Sequence, residues 1–282
     1  MAEIINGKVL ASKIKQEVKQ EIKQLGIKPY FAIVQIGNNP ASSTYVRNKM
    51  KDCDECGIES YLYHYGEEIS QHALEVFLEE LSISKDFHAG MLQLPIPNHL
   101  DAQEAINKID FRKDVDGLTT INNGLLATGK NGFIPCTAAG CIEMIHATGI
   151  DIAGKNAVVI GRSNIVGKPV AMQLLKENAT VTICHSHTVG LKDICQKADI
   201  LIAAVGKKNF VTVDMVKPGA IVIDVGINVQ ENGRLCGDVA FDEVKEVAGY
   251  ITPVPGGVGL MTRAMLMKNI LEATKCQLIK DI

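Results

Sequence analysis

One stretch of the sequence sets the fold: Ala157-Val158-Val159-Ile160-Gly161-Arg162-Ser163-Asn164-Ile165-Val166-Gly167-Lys168-Pro169. Its apolar start, 157–160, predicts a buried strand that leads directly into a glycine-bearing turn, and a helical pattern resumes at Val170. Glycines allow a sharp turn and a close approach of the backbone to a ligand. The free N–H groups and the dipole of the following helix favour an anion there. The stretch therefore predicts the opening strand, turn and helix of a doubly wound sheet with an anion site.

The same alternation of apolar strands and amphipathic helices extends on both sides of this stretch. Downstream, the apolar runs 179–183, 199–205 and 220–225 predict three further buried strands. Upstream, the pattern predicts, in order, a helix over 10–25, a strand over 30–36, a helix from Pro40 to Gly57, a strand over 58–65, a helix over 69–81 and a strand over 90–94. Strands that alternate with helices are typical of parallel βαβ units, so we predict an α/β fold.

The pattern also predicts how the chain divides. With 282 residues, of which 46% are hydrophobic, it is long enough to bury the cores of two domains. We assign 1–117 to an N-terminal α/β domain and 118–251 to a Rossmann-like doubly wound domain. The remaining segment, 252–282, contains a loop and an apolar helix, and we expect this C-terminal helix to return to the first domain.

Composition excludes several classes of partner. With 29 Lys and Arg against 32 Asp and Glu, the net charge of −3 provides no positive field to hold a nucleic acid. No apolar run reaches the roughly 18 residues that a membrane span needs, and residues 1–8 lack the features of a signal peptide, so we expect a cytoplasmic protein. The eight cysteines are expected to be reduced thiols. Cys53 and Cys56 lack the second pair that would complete a metal site, so no metal is expected.

The turn at 161–167 departs from the Gly-x-Gly-x-x-Gly dinucleotide pattern, because Ser163 replaces the second glycine. Taken alone, the turn is equally consistent with a structural role and with a nucleotide site. Its neighbours favour the nucleotide. Arg162 stands at the end of the first strand, and the next strand ends in Cys184-His185-Ser186-His187, without the acidic residue that binds the ribose of NAD. A guanidinium and a hydroxyl without an acid indicate a 2′-phosphate, so we predict NADP.

These motifs and others in both halves of the chain resemble the FolD family of bifunctional methylenetetrahydrofolate dehydrogenases and methenyltetrahydrofolate cyclohydrolases. The resemblance covers about 5–273, and it departs from the family's pattern at Leu260, where proline is usual. The motifs are Tyr45-Val46-x-x-Lys49, Gln93-Leu94-Pro95-x-Pro97, Lys113-Asp114-Val115-Asp116-Gly117, Pro135-Cys136-Thr137, Gly161-Arg162-Ser163-x-x-Val166-Gly167-Lys168-Pro169, Cys184-His185-Ser186-His187-Thr188, 218–228, Gly237-Asp238-Val239 and 252–259.

The resemblance implies roles for particular residues. Lys49, Gln93 and Asp116 are implied to be catalytic, with Lys49 in proton transfer and Asp116 also holding the N–H groups of the pterin. Tyr45 is implied to stack on the folate ring. From the residues alone, Lys49 could be a solvated surface lysine, Tyr45 a packing residue and Asp116 part of an ordinary turn. The implied substrate-binding residues are Tyr45, Lys49, Gln93, Asp116, Pro255, Gly256 and Gly257, and the implied cofactor-binding residues are Gly161, Arg162, Ser163, Val166, Gly167, Ser186 and Ile227.

The resemblance also implies an activity. Such an enzyme oxidises 5,10-methylenetetrahydrofolate with NADP and hydrolyses the resulting 5,10-methenyltetrahydrofolate to 10-formyltetrahydrofolate. It would act as a cytoplasmic homodimer in one-carbon metabolism and purine biosynthesis. Two alternatives remain open at this point: an oxidoreductase similar to shikimate dehydrogenase, and a nucleotide-binding regulatory protein that keeps the site without turnover.

Overall fold

The computed structural model of the protein describes residues 1–231 and 233–278, and the chain divides into two compact units. The first unit comprises Met1–Ala11 and Thr137–Thr262, and the second comprises Ser12–Cys136 and Arg263–Ile282. Residues 279–282 of the predicted last segment lie outside the described residues. The predicted class, an α/β fold of two domains, is confirmed, whereas the exact domain boundaries stay a prediction.

Strands and helices alternate along most of the chain, as predicted. The strands are β1 Glu3–Ile4, β2 Tyr30–Ile36, β3 Glu59–Tyr65, β4 Ala89–Leu92, β5 Asn156–Ile160, β6 Thr180–Cys184, β7 Ile200–Ala203, β8 Ile221–Asp224, β9 Asn228–Val229, β10 Leu235–Cys236 and β11 Tyr250–Ile251. The helices are α1 Gly7–Leu25, α2 Pro40–Cys56, α3 Gln71–Ile83, α4 Ala102–Ile106, α5 Thr120–Ala127, α6 Cys136–His146, α7 Gly167–Lys176, α8 Leu191–Cys195, α9 Phe241–Val244 and α10 Val258–Leu278.

The first unit is built on a six-stranded sheet in the order β1-β11-β8-β7-β5-β6, and paired strands run parallel to each other. Strands β7 and β8 are buried along their whole length, because helices and loops cover both faces of such sheets. This burial explains why their sequences are continuous apolar runs. The strand order reverses at β5, so the turns that follow β5, β7 and β8 lie at the edge of the sheet where ligands bind.

The second unit contains a three-stranded parallel sheet in the order β3-β2-β4. The central strand β2 is buried from its second residue onward, and helix α3 packs against the same core. Strand β4 ends at Leu92, two residues before the predicted end. The Gln93 N–H nevertheless still donates to Val34 O at 2.8 Å, so Gln93 is held in register with β2.

Helix α10 enters the second unit at Arg263. There, Lys275 Nζ lies 2.6 Å from Glu21 Oε2 on helix α1, and Met267 and Ile270 are fully buried. The predicted return of the C-terminal helix to the first domain is confirmed. In the described part of the chain, no helix combines the length and the apolarity that crossing a membrane requires.

Candidate active site

Helix α2 carries the first of the predicted site residues, and local signals fix both of its ends. The Asn39 side chain accepts hydrogen bonds from two N–H groups of the first turn, at 3.0 and 3.2 Å. Gly57 ends the helix in the left-handed conformation, with a φ of 84°. Between these ends, Tyr45, Lys49 and Asp52 are spaced by four and three residues and therefore lie on one face.

Lys49 is buried, with 6% of its surface exposed, although lysine usually lies in solvent. Its Nζ donates to Gln93 Oε1 at 3.0 Å and contacts Met91 Sδ at 3.4 Å. Gln93 Nε2 in turn donates to Leu94 O at 2.6 Å, which turns the amide oxygen toward the ammonium. The structure therefore brings Lys49 and Gln93 together and excludes the alternative that Lys49 is a solvated surface lysine.

Asp116 lies beside the buried thiol of Cys136, whose Sγ contacts Val115 O at 3.3 Å. Burial raises the pKa of Cys136 well above its usual value; the Asp116 carboxylate raises it further, and the positive charge of Lys49 lowers it. The charges of Asp116 and Lys49 therefore both affect the pKa of the Cys136 thiol, which indicates that the two side chains lie near each other. Gly117 follows with a φ of 71°, and a Cβ there would overlap the backbone of the segment leading to Cys136. The Asp-Gly pair is a turn, as its sequence suggests, and it presents a carboxylate to this cluster.

Two residues to which sequence reasoning assigned no role hold the Asp116 segment in place. The buried carboxylate of Asp114 accepts hydrogen bonds from Thr119 N at 2.7 Å and from Asn122 Nδ2 at 2.9 Å. Asn269 Nδ2, on helix α10, donates to Val115 O at 2.9 Å. The Asn269 contact joins residues that are distant in sequence, so no local motif could have indicated it, whereas the partners of Asp114 lie five and eight residues further along the chain.

Tyr45 is half-buried, and burial raises the pKa of its hydroxyl, whereas the charge of Arg263 lowers it. Arg263 also binds helix α2 directly. Its Nη1 lies 3.0 Å from Asp52 Oδ2 and 3.2 Å from Asn48 O. Lys15 Nζ contacts the other carboxylate oxygen of Asp52 at 3.0 Å. Sequence reasoning missed Arg263, because its pairing with α2 spans most of the chain.

In the first unit, the turn after β5 has the tight geometry predicted from its glycines. Gly161 has a φ of 131°, and a Cβ at this position would overlap the carbonyl of Ala204. A Cβ at Gly167 would overlap the carbonyl of Gly161. Ser163 Oγ accepts from the N–H groups of Val166 and Gly167 at 3.2 and 3.4 Å, so its side chain stabilises the turn that leads into α7. These contacts give the serine a structural role where the general dinucleotide pattern has a glycine.

Arg162 and Ser186 follow two neighbouring parallel strands. Ile160 in β5 pairs with Cys184 in β6, and each of the two polar residues lies two positions beyond that pair. Both side chains are exposed. The turn that carries Ser186 is closed by His185, whose N–H donates to a threonine hydroxyl at 2.8 Å. The structure therefore places a guanidinium and a hydroxyl at the same edge of the sheet.

The remaining predicted residues of the first unit lie in two loops. Ile227 follows β8 and leaves 47% of its surface exposed, which is unusual for an isoleucine beside a buried strand. Pro255, Gly256 and Gly257 lie in the loop before α10, where the peptide bond before Pro255 is cis and Gly256 has a φ of 111°. The Leu260 N–H donates to Gly257 O at 3.1 Å, so the helix begins without the proline that is usual there.

Cys53 and Cys56 have the spacing of half a metal site. Burial raises the pKa of Cys53 and raises that of Cys56 to about 12, so these thiols are protonated at neutral pH. Within residues 1–231 and 233–278, no three His, Cys, Asp or Glu side chains are grouped to hold a metal ion.

Two family models match the chain. Residues 5–116 match the tetrahydrofolate dehydrogenase/cyclohydrolase catalytic domain, and residues 135–278 match the NAD(P)-binding domain of the same family. The bifunctional protein FolD of Agathobacter rectalis is 50% identical over 278 residues, which cover 98% of this chain and 100% of that protein.

Solved structures are similar over the same length. The bifunctional FolD enzyme from Campylobacter jejuni has a TM-score of 0.96 at 45% identity, covering 98% of this chain and 100% of that one. The methylenetetrahydrofolate dehydrogenase-cyclohydrolase from Trypanosoma brucei, solved with NADP cofactor and an inhibitor, has a TM-score of 0.93 at 38% identity, covering 98% of each chain.

Proposed function

The chain belongs to the tetrahydrofolate dehydrogenase/cyclohydrolase family, and from this premise we propose how its residues perform the chemistry. It is a bifunctional enzyme that oxidises 5,10-methylenetetrahydrofolate to 5,10-methenyltetrahydrofolate with NADP and hydrolyses the product to 10-formyltetrahydrofolate. The activity predicted from the resemblance is confirmed. The alternatives of a shikimate dehydrogenase and of a protein without turnover are wrong.

The turn after β5 fits the cofactor. Gly161 and Gly167 have no room for a Cβ, so the tight turn requires glycine at both positions. The backbone of such a turn can approach a pyrophosphate closely. Arg162 and Ser186 are exposed at the same sheet edge and would hold the 2′-phosphate, and Ile227 would contact the cofactor through its exposed side chain. When it is bound, NADP supplies the hydride acceptor.

In the second unit, Tyr45, Lys49, Gln93 and Asp116 would bind the folate. The half-exposed ring of Tyr45 provides a surface on which a flat pterin can stack. The Asp116 carboxylate accepts hydrogen bonds only, which suits the amino and ring N–H groups of the pterin. Pro255, Gly256 and Gly257, in the loop before α10, would also contact the substrate.

Oxidation of the methylene carbon places a modest demand on these residues. Hydride leaves that carbon with its electron pair, and the adjacent folate nitrogen stabilises the cation that forms. No proton needs to move in this step, so the main contribution of the protein is alignment of the substrate. The contact between Gln93 Oε1 and Lys49 Nζ, at 3.0 Å, fixes the side chains that would contact the one-carbon bridge.

Hydrolysis depends on proton transfer. A water oxygen bonds to the methenyl carbon and loses one proton, which gives a neutral hydroxyl adduct. The hydroxyl then loses its proton and becomes the formyl carbonyl as one carbon–nitrogen bond breaks and its nitrogen takes up a proton, so one proton is released overall. Lys49 is the group that would carry the proton, because its Nζ is buried and directed by Gln93 rather than solvated. The buried Lys49–Gln93 contact is the single observation that carries this assignment.

The substitution Lys49→Met tests the assignment. We expect the cyclohydrolase rate to fall by about two orders of magnitude, as for loss of a proton-transferring group. Measurable dehydrogenase activity should remain, because that step depends on alignment, so methenyltetrahydrofolate should accumulate and be visible by its absorbance. The methionine stem can pack where the lysine stem did, so the variant should fold.

Lys51→Met is the matched control, since Lys51 lies on the same helix but is exposed. It should leave both activities at the level of the parent enzyme. Hydrolysis of methenyltetrahydrofolate by folded Lys49→Met at the parent rate would show that the proton passes through another group.

We also propose that the enzyme is a cytoplasmic homodimer that supplies formyl groups for purine biosynthesis. The net charge of −3 argues against a nucleic-acid partner. Support for self-association comes from β3, which forms an edge of the three-stranded sheet. Its residues Tyr61 and Leu62 are 38% and 40% exposed, and an apolar sheet edge is a common surface for pairing between copies.

A further inference from the structure

Two carboxylates lie buried at the ligand-binding edge of the six-stranded sheet, and the reaction steps above use neither of them. Asp224, the last residue of β8, is 2% exposed, and Asp238, which follows β10, is fully buried. Their positions are close in space although 14 residues separate them, because the Asp238 N–H donates to Asp224 Oδ1 at 2.8 Å.

Asp224 ties the loop after β8 to the loop after β10. Its Oδ1 accepts from the N–H groups of Gly226 at 3.0 Å and of Asp238, and its Oδ2 accepts from the N–H of Val239 at 2.9 Å. The carboxylate also packs against Gly237 so closely that a Cβ at that position would overlap it. Both loops are thus fixed to one side chain.

Asp238 ties the loop after β7 to the loop after β8. Its Oδ2 accepts from the N–H groups of Val205 at 2.7 Å and Gly206 at 2.9 Å. Its Oδ1 accepts from the Lys207 N–H and from Asn228 Nδ2, each at 2.9 Å. A Cβ at Gly226 would overlap this carboxylate, as a Cβ at Gly237 would overlap the other.

Burying two carboxylates side by side costs free energy, and a packed core alone would not require it. The donors to both carboxylates are uncharged amides, and the two negative charges oppose each other. Burial raises the pKa of Asp224 to about 6, and the charge of Asp238 adds to that effect. Burial of like charges without a cation commonly costs several kcal/mol, and the hydrogen bonds from the N–H groups offset part of that cost. The pair is better explained by the loops that it orders.

Those loops adjoin the cofactor turn. The loop after β7 begins at Ala204, whose N–H donates to Ile160 O at 2.8 Å and whose carbonyl packs on Gly161. The loop after β8 carries Ile227 between Gly226 and Asn228, which are the residues that the two carboxylates hold. Resting on the proposed function of this site, we propose that Asp224 and Asp238 are positioning residues that fix these two loops to receive the nicotinamide half of NADP.

The substitution Asp238→Asn tests the proposal in the full-length enzyme. The asparagine keeps the shape of the side chain, but its NH₂ group faces a backbone N–H and cannot accept from it. We expect the KM for NADP to rise about tenfold and the dehydrogenase kcat to fall, since an ordered loop loses hydrogen bonds to a charged acceptor. The cyclohydrolase kcat, measured from methenyltetrahydrofolate without NADP, should stay within about twofold of the parent value.

Asp199→Asn is the matched control. Asp199 also accepts from a backbone N–H, that of Asn156 at 2.9 Å, but it lies at the opposite edge of the same sheet. Its KM for NADP should equal that of the parent. If Asp238→Asn lowers both activities by the same factor, or leaves the KM for NADP unchanged, the positioning role is overturned.

Asn228→Ala covers the case in which Asp238→Asn does not fold, because it removes one donor and leaves the carboxylate in place. It should raise the KM for NADP about threefold without changing the cyclohydrolase rate, and an unchanged KM would overturn the proposal. Failure of the proposed function itself would appear differently. In that case the parent enzyme would lack one of the two activities before any substitution.

Discussion

Arg162 is the residue on which the choice of cofactor depends in this proposal. Arg162→Ala should raise the KM for NADP between about tenfold and a hundredfold, the range expected for a lost charge-assisted hydrogen bond to a phosphate. The KM for NAD should change little, because NAD has no 2′-phosphate. Steady-state kinetics of the parent and the variant measure the ratio of the KM for NADP to the KM for NAD.

Lys168→Ala is the control for the loss of a nearby positive charge, since Lys168 Nζ contacts Asn164 Oδ1 at 2.7 Å within the same turn. It should leave the ratio between the two cofactors unchanged. An equal rise in the KM for NAD and NADP on Arg162→Ala would mean that the arginine supports the turn rather than the phosphate.

Asp224 should make the free energy of unfolding fall as the pH rises, which is the opposite of the usual effect of an aspartate. Its pKa of about 6 in the folded protein lies above the ordinary value of 3.8, so between these values the folded chain holds a proton that the unfolded chain has released. The contribution of Asp224 to the free energy of unfolding therefore falls as the pH rises through this window, by about 3 kcal/mol in all.

Denaturant unfolding gives the free energy of unfolding of the parent and of Asp224→Asn at pH values from 4 to about 7. The change with pH in the difference between the two free energies measures the contribution of Asp224. The parent should lose stability relative to the variant as the pH rises. Asp199→Asn provides the contrast. The hydrogen bond from Lys217 lowers the pKa of Asp199 below 3.8, so its contribution to the free energy of unfolding is lost only at lower pH and should be nearly constant over this range. A constant difference for Asp224→Asn would contradict the assigned cause.

At the residue scale, a local pattern in the sequence was enough to predict where certain side chains lie, whereas their roles stay predictions. Tyr45 and Lys49 are spaced to share a helix face, and Arg162 follows a strand that the apolar pattern predicts. Asp224 and Asp238 could not be assigned in this way, because their partners are backbone N–H groups of loops that meet only in the folded sheet. Their burial, and not their spacing, distinguishes them from ordinary turn residues.

Helix α2 depends on a buried ion cluster for its placement. Asp52 contacts Lys15 of α1 and Arg263 of α10, each at 3.0 Å, and all three side chains are largely buried. Asp52→Asn removes the central charge. Lys15 keeps its contact with Glu55 Oε2 at 2.5 Å, but Arg263 loses its charged partner, and loss of one partner of a buried pair commonly costs about 3 kcal/mol or more. We expect a clear fall in the melting temperature of the variant, together with reduced turnover, because Tyr45 and Lys49 lie on the same helix.

Lys192→Gln is the control for loss of a surface ion pair. Lys192 and Asp214 are 2.6 Å apart, but about half of each side chain is exposed, so solvent screens the pair and it should contribute little to stability. Calorimetry compares the two variants directly. Equal melting temperatures for Asp52→Asn and the parent would show that the cluster does not place the helix.

At the element scale, the predictions held best where both ends of an element carry a local signal. Helix α2 begins beyond Asn39 and ends at Gly57 as predicted, because a cap and a left-handed glycine act within a few residues. Strand β4 was predicted to continue to residue 94 but ends at Leu92. Leu94 beyond Gln93 is apolar again, but the pairing with the neighbouring strand ends at Leu92 and decides the boundary, and pairing is not visible in a single sequence.

At the scale of the whole molecule, the predicted homodimer can be tested through the exposed edge of β3. Light scattering at micromolar concentration should report twice the monomer mass, and Leu62→Asp should shift the mass toward that of the monomer, because it places a charge in an apolar sheet edge. Val189→Asp is the control, since Val189 is exposed in the first unit and lies outside this sheet. A parent enzyme that remains monomeric over that concentration range would reject the dimer.

Sequence patterns and tertiary contacts divide the chain at different points. The predicted boundaries after 117 and 251 rest on polar and glycine-bearing stretches, whereas the contacts divide the chain next to Ala11, Cys136 and Thr262. Each of these points lies within a helix or at its start, and a helix that belongs to two units shows no break in its periodicity. The division therefore depends on tertiary contacts that composition does not reveal.

The edge of the six-stranded sheet has a consequence for synthesis on the ribosome. Strand β1 pairs with β11, which joins residues 3 and 4 to residues 250 and 251. The strand that is translated first therefore cannot pair until β11, near the end of the chain, has been synthesised. The sheet of the first unit stays incomplete during most of elongation. In a nascent chain halted before residue 250, β8 can pair with β7 but its other edge stays unpaired, and such an edge is a surface that chaperones recognise. The second unit's β2, β3 and β4, by contrast, can pair within the first hundred residues.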